Sequence, residues 1–234
     1  MKKLSKQGKF AVVLAFSLLL PAGAAMADGG ALVYPPQSAA FGEPFRQWTA
    51  EWWQFMLSIP TAVNPLADET GDSCMLGQRG AVWFLAGNFG GTAAPTTRTC
   101  SIPEGKALFF PVLNVVDVNT TTQTANDLRT ETAPCVDAAT RLAVEVDGQS
   151  VSVDKNRVRS AVFEIALPTD NLFGLGAGIY SPAIDDGYYV MLKPLTVGEH
   201  HIHIVGASAG CALIGGPFST EVTYNITIAP VSLN

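Results

Sequence analysis

From Ala81 onward the chain reads in twos. "LAVEVDGQSVSV", Leu142 to Val153, alternates apolar and polar residues on either side of Asp147-Gly148. Alternation about an Asp-Gly pair predicts two strands joined by a tight hairpin turn. "RSAVFEIALP", "EHHIHIV" and "EVTYNITIAP" keep the same rhythm. "GAVWFLAG", "KALFFPVLNVV" and "DDGYYVML" are denser apolar runs of strand length. A backbone that sends alternate side chains to opposite faces buries the apolar set only by packing as sheets. Many short strands with turn residues between them predict a mainly-β protein, a β-sandwich of jelly-roll or immunoglobulin-like type. Pro111 interrupts the longest run, and a residue with no N–H predicts a bend or an edge there. An outer-membrane barrel would need regular strands of about 10 residues with a lipid-facing stripe, and these segments are uneven.

One stretch breaks the rhythm. "EPFRQWTAEWWQFMLSIP", Glu43 to Pro60, repeats Trp48, Trp52, Phe55, Met56 and Ile59 at the spacing of one helical face. Pro44 suits a first helical turn and Pro60 ends the run. Trp53 falls about 100° from Trp52 around the helix, so it either widens the apolar stripe or leaves it. The expectation is one Trp-rich N-terminal helix packed on the β-sandwich. "NDLRTETAPCVDAAT" is expected to add a helical turn or two after a polar loop. With no internal repeat and no linker-like composition, residues 28–234 are expected to form a single domain.

Residues 1–27 have the form of a secretory signal peptide: Lys2, Lys3, Lys6 and Lys9 without an acid, an apolar run to Leu20, and Ala25-Met26-Ala27 at the cleavage position. The apolar run is short for a membrane span, and the mature chain is expected to carry no transmembrane segment. Loss of those lysines leaves 10 basic against 20 acidic residues, a net charge of -10 where the whole chain has -6. Such a chain is repelled by phosphate backbones, so nucleic acid is not an expected partner. The expected location is secreted or periplasmic. There, Cys74, Cys100, Cys135 and Cys211 read as two disulfides. Three pairings are open. Cys74–Cys100 with Cys135–Cys211 is preferred, because the first pair flanks what reads as one hairpin. No C-x-x-C spacing supports a zinc site.

All three histidines lie in "GEHHIHIVG", Gly198 to Gly206. On a strand, His201 and His203 share a face, and His200 lies opposite with Ile202 and Ile204. Two imidazoles over one point could, with a carboxylate, hold Zn, Cu or Fe and leave positions open for catalysis. Asp117, Glu164, Asp185 and Glu199 are the candidate acids. The competing expectation is structural: His200 packed at a sheet edge with one nitrogen on a backbone carbonyl, His201 and His203 half-exposed outside. A pH-sensitive role is a third, since imidazole titrates near neutrality. The adjoining "GASAG", Gly206 to Gly210, matches the nucleophile elbow with Ser208 as nucleophile. That fold places its catalytic His after the Ser, and none follows here.

Asp68, Glu69 and Asp72 cluster in "ADETGD", where a calcium loop competes with a solvated acidic turn. "DVNTTTQTANDL" lacks the Gly and Glu of an EF-hand, and "GNFGG" lacks the Lys-Ser/Thr of a phosphate loop. Trp48, Trp52 and Trp53 are candidate ligand contacts if exposed, where they would stack on sugar rings or an apolar partner. A helical stripe of Trp, Phe and Met otherwise belongs to a core.

Taken in order, "WWQ", "GQRGAVWFLAG", "CSIPEGKALFFPVLN", "DGYYVML", "GEHHIH" and "VTYNIT" resemble the pattern of a group of secreted bacterial proteins of uncharacterised function. The likeness runs from Trp48 to Thr227. It implies a bacterial origin and one domain, transfers no residue role, and within it "GEHHIH" reads as a turn-and-strand signature. The leading expectation is an exported, non-catalytic β-sandwich that binds a glycan, an envelope component or another protein. The rivals are a metal-dependent oxidoreductase or hydrolase built on His201 and His203, and a subunit of a surface assembly.

Overall fold

The computed structural model describes residues 32–89 and 94–231, and the expected signal peptide lies outside them. The described elements are the helix α1 (Phe45–Leu57), the strands β1 (Val82–Phe84), β2 (Thr96–Pro103) and β3 (Ala107–Val118), the helix α2 (Ala125–Asp137), and the strands β4 (Ala139–Val146), β5 (Gln149–Val151), β6 (Arg157–Arg159), β7 (Phe163–Leu167), β8 (Gly178–Leu192), β9 (Gly198–Cys211) and β10 (Gly216–Ala229). The protein is mainly β, with two five-stranded sheets. The first runs β1-β3-β8-β6, with β7 also on β8; the second runs β2-β10-β9-β4-β5. Antiparallel pairing predominates, but β1 lies parallel to β3 and β2 parallel to β10. The Asp-Gly turn joins β4 to β5, with Asp147 at φ 51° and Gly148 at φ 77°. Positive φ at both central residues is what such a turn requires.

Two layers of core explain which runs alternate and which do not. Leu108, Phe110, Val190 and Leu192 of the first sheet share one cluster with Ile202, Ile204, Val222 and Ile226 of the second. The opposite face of the first sheet, with Phe109, Tyr189 and Met191, packs against Phe45, Trp52, Trp53 and Met56 of α1. Covered on both faces, β3 is apolar almost throughout, as doubly buried strands are. The second sheet is covered on one face, and β10 alternates cleanly there, with Val222, Tyr224, Ile226 and Ile228 buried.

Pro111 sits in an interior strand, where the expectation left open an edge. The ladder adapts by a register shift: Pro111 pairs with Tyr189, yet Leu113 pairs with Tyr188. Such a bulge resets the alternation and re-aims the residues beyond it. Asn114, opposite Gly187, is thereby turned to the α1 side along with Pro111. Gly187 makes the room, since a Cβ there would lie 2.5 Å from the Asn114 Cβ. The sheets approach closely at Gly206, where a Cβ would fall 1.9 Å from the Val112 carbonyl oxygen. The first glycine of "GASAG" is thus a packing residue.

The cysteines pair as Cys74–Cys100 and Cys135–Cys211. The first bond does not flank a hairpin: Cys74 lies in the segment before β1, and Cys100 lies on β2 in the other sheet. The second ties α2 to the end of β9. The α2 helix is also longer than the turn or two expected, at 13 residues. Its start is fixed by a capping box in which the Thr124 hydroxyl and Asp127 carboxylate satisfy each other's backbone N–H. Among the described residues, no helix is long and apolar enough to cross a membrane.

Candidate functional site

The histidines divide as strand alternation dictates. His201 is exposed and His203 half-buried on the outer face of the second sheet. His203 Nε2 lies 3.2 Å from Glu221 Oε1 on β10. Of the four candidate acids, Glu199 accepts a hydrogen bond from Thr227, and Asp117, Glu164 and Asp185 belong to the first sheet. Among the described residues, no group of three His, Cys, Asp or Glu side chains is placed to hold a metal ion. His200 faces the other way. Its Nδ1 lies 2.7 Å from Asp147 Oδ2 and its Nε2 lies 2.8 Å from the Thr196 carbonyl oxygen. Asp147 Oδ1 accepts from the His201 backbone N–H, so this imidazole fastens the β4–β5 turn to the start of β9. Partial burial opposes the imidazolium, but the Asp147 carboxylate and the Thr196 carbonyl outweigh it and raise the His200 pKa.

Two other motifs are absorbed by local structure. Ser208 is buried, and its hydroxyl donates to the Cys135 carbonyl at 2.6 Å while accepting from Gly210 N–H. In "ADETGD", Asp68 accepts from the backbone N–H groups of Thr70, Gly71 and Ser73. Partial burial works against its charge, yet those N–H groups prevail and hold the carboxyl below its ordinary range. The Asp68 carboxylate is spent on its own turn.

The helix tryptophans do not form an exposed platform. Trp52 is fully buried and Trp53 is 5% exposed, while Trp48 is half-buried. Each indole N–H is satisfied: Trp48 by the Ala40 carbonyl, Trp52 by the Leu85 carbonyl and Trp53 by Asp185 Oδ1 at 2.7 Å. The buried stripe is wider than one helical face, because α1 packs at once on β7, on β8 and against the segment after β1. Trp48 turns instead toward a groove with Phe55 and Phe84.

Trp52 and Trp53 nonetheless lie beneath a cleft that is partly open to solvent. They wall a cavity of about 180 Å³, bounded also by the bulged stretch of β3, by Phe89 and Phe173, and by Ile214 and Phe218. Its polar lining among the described residues is Asn88, Asn114, Ser219 and Thr220, with no charged side chain. Asn88 is committed to the frame: its amide donates to Thr96 and accepts from Thr220 and Glu221. Asn114 donates through Nδ2 to the Tyr189 hydroxyl at 2.8 Å, and its Oδ1 accepts no protein hydrogen bond among the described residues.

Behind the cavity wall lies Asp185, wholly buried. Its Oδ1 accepts from Trp53 Nε1 at 2.7 Å and from Tyr189 Oη at 2.8 Å, and its Oδ2 has no partner among the described residues. Burial pushes the carboxyl well above its ordinary range; the bonds from Trp53 and Tyr189 oppose this, and the neighbouring Asp186 charge adds to it. A carboxyl kept neutral by an apolar site follows. Burial likewise raises the Tyr189 pKa, so its phenol keeps its proton. In the sequence, Asp185 stands out only as an acid for the histidines, and neither Asn114 nor Tyr189 stands out at all. A usable signal was there: on a strand Asp185 shares a face with Tyr189 and Met191, so the acid had to be buried with them.

Comparison with family models, with curated proteins and with solved structures finds no match for this chain.

Proposed function

We propose that the chain is an exported binding protein that takes up a compact, uncharged, mainly apolar group of an envelope component. In this reading the β-sandwich is the scaffold, and the two disulfides fit an oxidising compartment outside the cytoplasm. The observation that carries it is the cavity between α1 and the bulge of β3, walled by Trp52, Trp53, Phe89, Phe173 and Phe218. A well-formed apolar pocket with a few convergent polar groups is the default binding site of a fold.

Size and charge narrow the occupant. An apolar cavity of about 150 Å³ takes up benzene, so this one suits a single ring or a short acyl segment, not an oligosaccharide. A charged ligand would be desolvated without a counter-charge, which is costly.

Titration with small aromatic compounds is expected to shift tryptophan emission, with one molecule bound per chain. Ser219→Phe, which fills the cavity from its lining, is expected to abolish the shift without unfolding the protein. Emission that no compound of that size moves would remove the basis for this reading.

A further inference from the structure

The cavity's polar corner also has a direction, and on it a more specific ligand class can be argued. The inference rests on the cavity being the binding site. An indole N–H can only donate. Asp185 Oδ1 must therefore accept from Trp53, and it lies 2.8 Å from Tyr189 Oη as well. With the carboxyl's own proton on Oδ2, Oδ1 is the carbonyl oxygen and accepts, so the single Tyr189 proton goes to it. Tyr189 Oη is then left as an acceptor toward Asn114, 2.8 Å away. Only the amide nitrogen can serve such an acceptor, so the Asn114 orientation is fixed by its neighbours. Its Oδ1 remains as an acceptor in the wall of the cavity.

The chain of constraints runs from the core outward. The β3 bulge turns Asn114 to the α1 side, Gly187 makes space beneath it, and the Trp53–Asp185–Tyr189 cluster sets which end of the amide is free. Asn114 is half-buried, so Oδ1 is open to water when the cavity is free; an occupant that covers it must supply a donor of its own or leave the acceptor unpaired, which is costly. We infer that the cavity selects a neutral aromatic or cyclic ligand carrying one hydroxyl group, which donates to Asn114 Oδ1. In this selection Tyr189 is a positioning residue: it holds the amide and does not touch the ligand.

The test compares phenol, anisole and toluene by calorimetric titration of the intact protein. Phenol can donate, anisole can only accept, and toluene can do neither. Phenol is expected to bind about tenfold more tightly than either of the others, the worth of one hydrogen bond. Asn114→Leu is expected to remove that advantage while toluene affinity stays within about threefold. Should Asn114→Leu fail to fold, Tyr189→Phe supplies the same reading: it frees the amide to turn, and the gap between phenol and anisole is expected to close. Anisole equal to phenol in the wild-type protein would mean that the amide presents its nitrogen, and overturns the inference. Toluene equal to phenol overturns it too, while leaving the cavity as a binding site. No binding of any of the three removes the proposed function and this inference together.

Discussion

Two faces of this molecule carry the residues that chemistry would single out, and they behave in opposite ways. The outer face of the second sheet holds His201 and His203, side by side as alternation requires, with Glu221 beside them. There the side chains stand open or half-open to water. The α1 face of the first sheet holds Asp185, Tyr189, Asn114 and Trp53, drawn from β8, β3 and a helix more than 130 residues away in sequence from Asp185. Asp185, Tyr189 and Trp53 are buried and Asn114 is half-buried, and the four share one hydrogen-bond network that backs onto a cavity. Residues adjacent along one strand make a conspicuous motif, whereas residues gathered across strands make an enclosed environment.

The sharpest version of the contrast is the pair Asp185-Asp186. Neighbours on one strand, they face opposite ways. Asp186 is gripped by Arg157 through both carboxylate oxygens and by Arg159, while Asp185 meets only neutral donors. Asp186→Asn is expected to cost about 2–3 kcal/mol, because charge-assisted bonds are lost and Arg157 is left in part unpaired. Asp185→Asn keeps the acceptor for Trp53 and Tyr189 and is expected to cost less than about 1 kcal/mol. Urea unfolding of the two variants decides this, and equal losses would show that Asp185 carries a charge after all.

Asp117 gives the next effect. Burial lifts its carboxyl to about 6; the Val118 N–H opposes this and the Glu131 charge adds to it. The native state therefore holds this proton more tightly than the unfolded chain. Its contribution is fully present below the unfolded value near 3.8 and is lost as pH rises to about 6. Asp117→Asn is expected to flatten that decline and to raise stability at pH 8 by about 1 kcal/mol, allowing for its partial exposure. Unfolding curves of both proteins across that range measure it.

His200 is smaller and titrates higher. Its raised pKa means that the imidazolium supports the fold below the ordinary histidine value, and the support is lost as pH rises through the folded value. Between pH 6 and pH 8 the expected loss is under about 1 kcal/mol, since Asp147 is half open to solvent. Asp147→Asn should remove most of that slope in thermal melts at the two pH values. The double change His201→Ala with His203→Ala is expected to move stability by no more than about 0.5 kcal/mol, as surface substitutions do. A larger effect would show that the outer face is more than a solvated strand.

Much of this architecture was legible in the sequence. Strand alternation located β4, β5, β7, β9 and β10, the Asp-Gly pair located the tight turn, and the Trp48–Trp52–Met56 spacing located α1. What could not be read was how the elements meet. The parallel pairing of β2 with β10 joins mid-chain residues to the C-terminal strand, and no local pattern encodes it. Pro111 signalled a bend, but only the ladder shows that the bend turns Asn114 toward α1. Trp53 could be placed 100° from Trp52, but whether that flank was wet or dry depended on β8 lying beneath it. The candidate site was therefore less legible than the fold: its tryptophans were named, while the amide and phenol that give it polarity sit in runs that read as core.

The cavity itself is most directly tested by a crystal structure of the protein soaked with 4-bromophenol, with bromine located by its anomalous scattering. The account predicts one bromine position between Trp52, Trp53 and Phe218, with the phenol oxygen within hydrogen-bonding distance of Asn114 Oδ1. Bromine found only on the outer surface, with none in the cavity, would contradict it.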